Sequence, residues 1–200
     1  MAAPPQKHRK PHPAGPAPDH AKLHEAALLH LSRYAATEAG LVRVLDRRID
    51  RWVRRAEGEK LDTSPAAASR EAAREVAAAL VQSGVVNDEA FAEARARRLT
   101  RAGRSRRQVQ AHLQSKGVAA PLAGAALPDP EAELGAALAY ARRRRLGPFR
   151  TGGDDEPDPD ARRRELAAMA RAGFPQGVAQ QALRMDPDVA LSLVIALKSS

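Results

Sequence analysis

Residues 113–127, LQSKGVAAPLAGAAL, and residues 169–183, MARAGFPQGVAQQAL, decide the fold. Leu113, Gly117, Val118, Leu122 and Leu127 return as Met169, Gly173, Phe174, Val178 and Leu183, each 56 positions on. The pattern reads as a helix, a glycine just past its end, and a further helix. Upstream, Gly103 matches Gly147 at an offset of 44, so the difference of 12 is an insertion in the second copy. It falls in the Gly-, Pro- and acid-rich stretch 147–160, a surface loop where added length is tolerated. Each copy is then helix, loop, helix, glycine turn, helix, and residues 23–84 show the same order less clearly. A unit this small cannot bury its apolar face alone, so neighbouring units stack. The predicted fold class is all-α, with tandem three-helix repeats stacked into an elongated, curved rod.

Composition supports the class. Apolar residues make up 44 % of the chain but aromatics only 3 %, and alanine supplies much of the remainder. Alanine favours helices and buries little area per residue, so the core is expected to be thin. The β-branched and aromatic runs that strands need are almost missing. Thr37 is a predicted N-cap for a helix with Leu41, Leu45, Ile49 and Trp52 inward and Arg43, Arg47, Arg51 and Arg54 outward. Ser69 is expected to open a third helix with Val76 and Leu80 inward and Gly84 beyond its end. A fourth follows Asn87 and Asp88 with Phe91 and Leu99 inward. Ser105 caps a fifth carrying Val109 and Leu113, and a short sixth holds Leu122 and Leu127. Further helices are predicted at 131–146, 161–172 and 175–183.

Five segments result. Residues 1–21, with six prolines in the first eighteen, read as a disordered, basic tail. Residues 22–86 form a divergent first repeat, 87–128 a second, and 131–185 a third with an acidic insertion at 149–160. Residues 186–200 are an apolar segment whose run 189–197 is expected to be a last helix packed on the third repeat.

Lys and Arg total 33 against 24 Asp and Glu, a formal charge of +9, which points to a polyanionic or acidic-faced partner. The absence of cysteine excludes disulfides and thiolate chemistry. The first residues lack an apolar core, so no signal peptide is expected, and the longest apolar run is half what a bilayer requires. The expected location is the cytoplasm and the expected state a monomer. His20 and His24, like His8 and His12, have a four-residue spacing that suits a metal, but no third ligand is placed with either pair. No metal or other cofactor is expected. Phosphate-loop, nucleophile-elbow and zinc-protease motifs are all missing, so no catalytic residue is assigned and no enzyme is expected. Asp154, Asp155, Glu156, Asp158 and Asp160 alternate with prolines and read as a solvated acidic linker. An alternative is self-inhibition, the loop lying over a basic face and competing with the partner.

The arginines stand out. Arg95, Arg97, Arg98, Arg101, Arg104, Arg106 and Arg107 crowd the middle repeat, and Arg142, Arg143, Arg144, Arg145 and Arg162 to Arg164 the third. Their planar fork suits bidentate contact with phosphates and carboxylates. All of these except Arg97 and Arg162 to Arg164 are the candidate partner or phosphate contacts. A second possibility is a helix-turn-helix-like module reading bases through Gln108, Gln110, His112 and Gln114.

At residues 84–92, GVVNDEAFA, the chain resembles the RecX family of RecA recombinase regulators, whose first repeat ends in a Gly-apolar-apolar-x-Asp-x-x-Phe/Tyr-Ala pattern. Gly84, Asp88, Phe91 and Ala92 match it. Residues 103–118, GRSRRQVQAHLQSKGV, look like that family's second repeat with its Lys-Gly-Val turn at Gly117, and the Arg-Ala-Gly-Phe turn at Gly173 is similar to its third. The resemblance implies tandem three-helix repeats and a non-catalytic partner of the RecA–DNA filament, inhibiting recombinase and coprotease activities and touching DNA weakly and without sequence preference. The divergent first repeat, the acidic insertion, the tail and the apolar C-terminus depart from the family's pattern.

Overall fold

Short polar side chains set where the helices begin, because each can accept from a backbone N–H that the first helical turn leaves unpaired. In the computed structural model, which describes residues 13–150 and 158–199, Asp19 caps α1 (His20–Leu31) and Thr37 caps α2 (Glu38–Gly58), accepting from Lys22 N and Gly40 N at 2.9 Å. Asn87 opens α4 (Asp88–Arg101) and Ser105 opens α5 (Arg106–Ser115). Asp129 opens α7 (Pro130–Arg144) and Asp158 opens α8 (Pro159–Arg171). The set is completed by α3 (Ala66–Gln82), α6 (Ala120–Ala125), α9 (Gln176–Arg184) and α10 (Pro187–Ser199). Among the described residues all regular structure is helical, and it follows a three-helix order: α1–α3, α4–α6, α7–α9, then α10.

Glycines in the left-handed region follow the ends of α3, α4, α5 and α8, and the repeat found in the sequence is this device. Gly117 N donates to Gln114 O and Val118 N to Leu113 O, while Gly173 N donates to Ala170 O and Phe174 N to Met169 O. These are Schellman turns, in which the residue after the glycine also packs on the helix it has just left. Leu113 with Val118 and Met169 with Phe174 are accordingly buried pairs. Gly103 ends α4 in the same way, through Gly103 N to Thr100 O and Arg104 N to Leu99 O.

Gly147 is not its counterpart. At the end of α7 the left-handed residue is Arg145, with φ of 55°, and Leu146 N donates to Ala141 O. The geometric offset from Gly103 is therefore 42 rather than 44, so the third unit is longer by 14 residues rather than 12. Gly147 instead starts a 3-10 turn (Gly147–Phe149) against Leu183.

The chain divides into two compact units between Val86 and Asn87. The first buries Leu23, Leu41, Leu45, Ile49, Trp52, Val76 and Leu80 in one cluster of α1, α2 and α3. The second holds two clusters, one of Ala92, Ala96, Val109, Leu113 and Val118, the other including Leu138, Met169, Phe174, Ala190 and Val194. α10 packs on α7 through Ala190 and Val194. Alanine is the commonest residue in these clusters, as a thin core requires.

Several expectations are corrected. Ser69 does not open α3; it lies within the helix, 4 % exposed, and the helix starts at Ala66. The reason is Asp62, which accepts from Ser64 N and Ser64 Oγ and forms a turn that delivers Pro65, already at a helical φ of −62°, to the N-cap position ahead of Ala66. Residues 13–19 are not a loose tail. Trp52 Nε1 donates to Gly15 O and Ala14 N to Glu59 Oε1, both at 3.0 Å, and Pro18 is buried. A proline-rich segment suits such a seat, since proline brings no N–H needing a partner. Phe91, placed inward, is only half-buried at the edge of its cluster. Pro159 and Asp160 belong to α8 rather than to a loop. Residues 1–12, with His8 and His12, and 151–157, with Asp154, Asp155 and Glu156, lie outside the described residues.

Candidate partner-binding surface

The arginine-rich surface is built on the α4–α5 turn. Three contacts hold that turn in place within the second unit. Ser105, fully buried, caps α5 through Gln108 N and also donates its hydroxyl to Ala172 O at 2.7 Å. A side chain at Gly103 would place its Cβ 2.8 Å from Tyr140 N, so only glycine permits the approach of α7. Arg143 donates to Ala102 O at 2.6 Å while its guanidinium lies 5.5 Å from the Tyr140 ring centroid. A cation over an aromatic face that also meets the carbonyl end of a helix is favoured twice.

The structure sorts the candidate arginines. Arg98, Arg101, Arg107, Arg142 and Arg144 are exposed and form no ion pair with a described residue. Arg145 is also exposed but serves as the helix end of α7. Two candidates are committed to the protein itself: Arg143, as above, and Arg106. The backbone N–H of Arg106 donates to the buried Glu133 at 3.2 Å, and its guanidinium binds Pro128 O. Arg97 is neutralised by Glu93 at 3.4 Å and Arg163 by Asp160 at 2.7 Å, both exposed pairs of small energetic weight. Beside Arg97 and Arg101, α4, the α6–α7 turn and Leu197 line a cleft of about 300 Å³, into whose wall Thr100 brings a buried hydroxyl with no partner among the described residues.

Arg95 and Arg104 form a separate group with residues of α5. Arg95 Nε donates to His112 Nε2 at 2.9 Å, and Arg104 reaches Gln108 Oε1 at 3.5 Å. Since guanidinium has no lone pair to offer, His112 is the acceptor and therefore neutral. Partial burial holds its proton affinity below the ordinary imidazole value, reinforced by the charges of Arg95, Lys116 and Arg104.

The base-reading arrangement finds little room. A recognition helix reads bases with its N-terminal residues. Here the start of α5 is occupied by Ser105, Arg106 and Glu133 in internal contacts. Of the four residues proposed to read bases, Gln108 and His112 already hold arginines, and Gln110 is half-buried. The family-pattern residues are structural in position: Gly84, Gly117 and Gly173 have positive φ, Asp88 lies in the first turn of α4, and Ala92 is buried.

Sequence reasoning did not find the internal clamp of Arg150 on Glu165. Three guanidinium–carboxylate contacts, at 2.7, 2.8 and 3.1 Å, join Arg150 at the end of the 3-10 turn to α8, and Glu165 also accepts from Gly147 N. These partners are 15 residues apart with no periodic relation, so only the chain's path reveals them.

A family model described as RecX, second three-helix domain, matches residues 87–127. The protein named regulatory protein RecX from Myxococcus xanthus (strain DK1622) is 43 % identical over 169 residues, covering 82 % of this chain and 86 % of the relative. One of the same name from Agrobacterium fabrum (strain C58 / ATCC 33970) is 37 % identical over 105 residues, 52 % of this chain and 55 % of the relative. The crystal structure of RecX from Lactobacillus salivarius superposes with a TM-score of 0.58 at 15 % identity, over 85 % of this chain and 97 % of that one. A second crystal structure, of regulatory protein RecX, gives 0.58 at 18 % identity over 82 % and 70 %. At those identities the structural likeness establishes the fold.

Proposed function

The chain belongs to the RecX family of regulatory proteins, and from that premise we propose that it binds the RecA–DNA filament and lowers the recombinase and coprotease activities of RecA. The proposed contacts are Arg95, Arg98, Arg101, Arg104 and Arg107 around the α4–α5 turn, with Arg142, Arg144 and Arg145 on α7. The observation that carries this reading is the group of exposed arginines, Arg98, Arg101, Arg104 and Arg107, without a carboxylate partner among the described residues, around a turn that buried contacts hold in place. A preformed array of guanidinium groups suits a surface of phosphates and carboxylates, because little ordering remains to be done on binding. We assign no chemistry to the chain: its regulation is by occupancy. No helix among the described residues is long and apolar enough to cross a membrane.

The test is RecA-catalysed ATP hydrolysis on single-stranded DNA with this protein titrated in. Inhibition at a small fraction of the RecA concentration supports action at filament ends, and inhibition only near equivalence supports coating of the groove. No inhibition, with binding to bare DNA retained, overturns the regulatory reading in favour of a nucleic-acid module. Replacing Arg98, Arg101 and Arg104 together by Glu should raise the half-inhibitory concentration by at least about tenfold while helicity is unchanged, since exposed substitutions cost little stability.

A further inference from the structure

We propose that Arg95, Arg104, Gln108, His112 and Lys116 form a binding seat for the backbone phosphates of a nucleic acid along the outer side of α5. The inference deepens the regulatory reading, on which it rests for the identity of the polyanion.

The seat is a row followed by a flank. Gln108, His112 and Lys116 follow one another at four-residue intervals along α5 and its C-terminal cap, a spacing that sets neighbouring side chains one above the other with a rise of about 6 Å per step, and Arg104, in the turn before the helix, reaches Gln108 Oε1 at 3.5 Å. Arg95 of α4 joins the row at its centre through its bond to His112. Three groups spread over about 12 Å of helix, with Arg104 ahead of them, suit a repeating anion better than a single phosphate or carboxylate. The groups facing His112 are Arg95 from α4, Arg104 from the α4–α5 turn and Lys116 from the end of α5, all cationic. α6 brings no charged residue, and Glu133 of α7 is directed to the backbone of Arg106. The helix dipole is negative at the Lys116 end and favours that ammonium rather than an anion, so the attraction for phosphate comes from the cluster of side chains.

Backbone recognition is favoured over base stacking because this face lacks an aromatic platform. Phe91, the aromatic residue of α4, is packed on the apolar cluster, and α5 contains none besides His112. Binding should therefore be indifferent to sequence and steeply dependent on salt.

His112 gives the seat a distinguishing signature. While neutral it accepts from Arg95 and holds that guanidinium against α5. Once protonated, both ring nitrogens are donors, so Arg95 is released and the row gains a charge. An anion on the seat favours the protonated imidazole, and by linkage affinity must tighten as pH falls.

The experiment uses the full chain and a fluorescent oligothymidylate of about 30 nucleotides, alone or in duplex, with anisotropy read near pH 8 and near pH 5.5 at fixed salt. For the wild type, Kd should fall about fivefold between the two pH values. His112→Gln keeps an acceptor for Arg95 but cannot take up a proton, so the ratio of its Kd values at the two pH values should fall to about one. Arg104→Ala with Lys116→Ala should weaken binding about tenfold and flatten the single-strand salt dependence by about 1.4 in slope. The proposal is overturned if His112→Gln titrates like the wild type, which would assign the effect to histidines such as His20, His24 and His30. It is overturned equally if the double variant binds normally, or if the wild type binds neither form of DNA. Because RecA is absent from this assay, its failure leaves the regulatory reading to the ATP-hydrolysis test. A like affinity for single strands and duplex assigns the seat to the phosphate chain itself, and a preference for one form assigns it to that form's phosphate spacing.

Discussion

Gly103 and Gly84 both have φ near +75°, yet they make different demands. A Cβ at Gly84 meets nothing within 4 Å, whereas one at Gly103 would press on the backbone of Tyr140 and Ala136. Gly84→Ala should thus cost about 1 kcal/mol, the left-handed penalty alone, and Gly103→Ala at least about 3 kcal/mol. Urea denaturation of the two variants checks the difference; equal losses would show that α4 and α7 separate without cost. Arg145 is the converse case, an arginine at a position where glycine belongs. Arg145→Gly should stabilise the protein by about 1 kcal/mol in the same measurement. His112 supplies a pH dependence with a definite sign. Its proton affinity is lower in the folded chain than the ordinary value of 6.5, so the unfolded chain takes up the proton first. Its contribution is therefore absent above that value and unfavourable as pH falls below it. The wild type should lose more stability than His112→Gln between pH 7 and pH 5, and parallel losses would remove His112 as the cause.

At the scale of the helix, the second three-helix unit depends on where its apolar residues sit relative to the turn that follows them. Leu113 is fully buried and also provides the carbonyl that closes the Schellman turn at Val118. Leu113→Ala should cost about 3 kcal/mol or more, because it leaves a cavity in an alanine-rich cluster that has few large side chains able to move inward. Phe91 is the larger residue, but it is half-buried at the start of α4 and keeps part of its surface in water. Phe91→Ala should cost about 2 kcal/mol, less than the Leu113 substitution despite the greater volume removed. Thermal or urea unfolding ranks them, and the reverse order would show that Phe91 closes over its cluster in solution.

For the molecule as a whole, the decisive feature is that apolar burial is not continuous through one core. The first unit has its own cluster, which contains the chain's one tryptophan, Trp52, at 8 % exposure; the second has two clusters and no tryptophan. Tryptophan fluorescence therefore reports the first unit, while far-ultraviolet circular dichroism reports both. Leu113→Ala should shift the circular-dichroism transition by several degrees and leave the fluorescence transition in place. If both move together, the units unfold as one.

Local chemistry, which is written in adjacent residues, was legible without a structure. Thr37, Asn87 and Ser105 cap helices because a hydroxyl or amide three residues ahead of an N–H can reach it, and Gly117 and Gly173 end helices because they alone adopt positive φ freely. Those signals carried the all-α class and the three-helix order, and the arginine clusters carried the expectation of an anionic partner. What depended on tertiary structure was decided by groups far apart in the chain. Gly147 is set against Leu183 and donates to Glu165 while Arg145 ends α7, and residues 13–19 are held by Trp52 and Glu59. Composition could not separate the arginines either: Arg106 and Arg98 read alike in sequence, but one meets Pro128 O and the other faces water. A side chain's charge is a property of the residue, whereas its availability depends on which carbonyls, carboxylates and rings the fold brings within 3 to 4 Å of it.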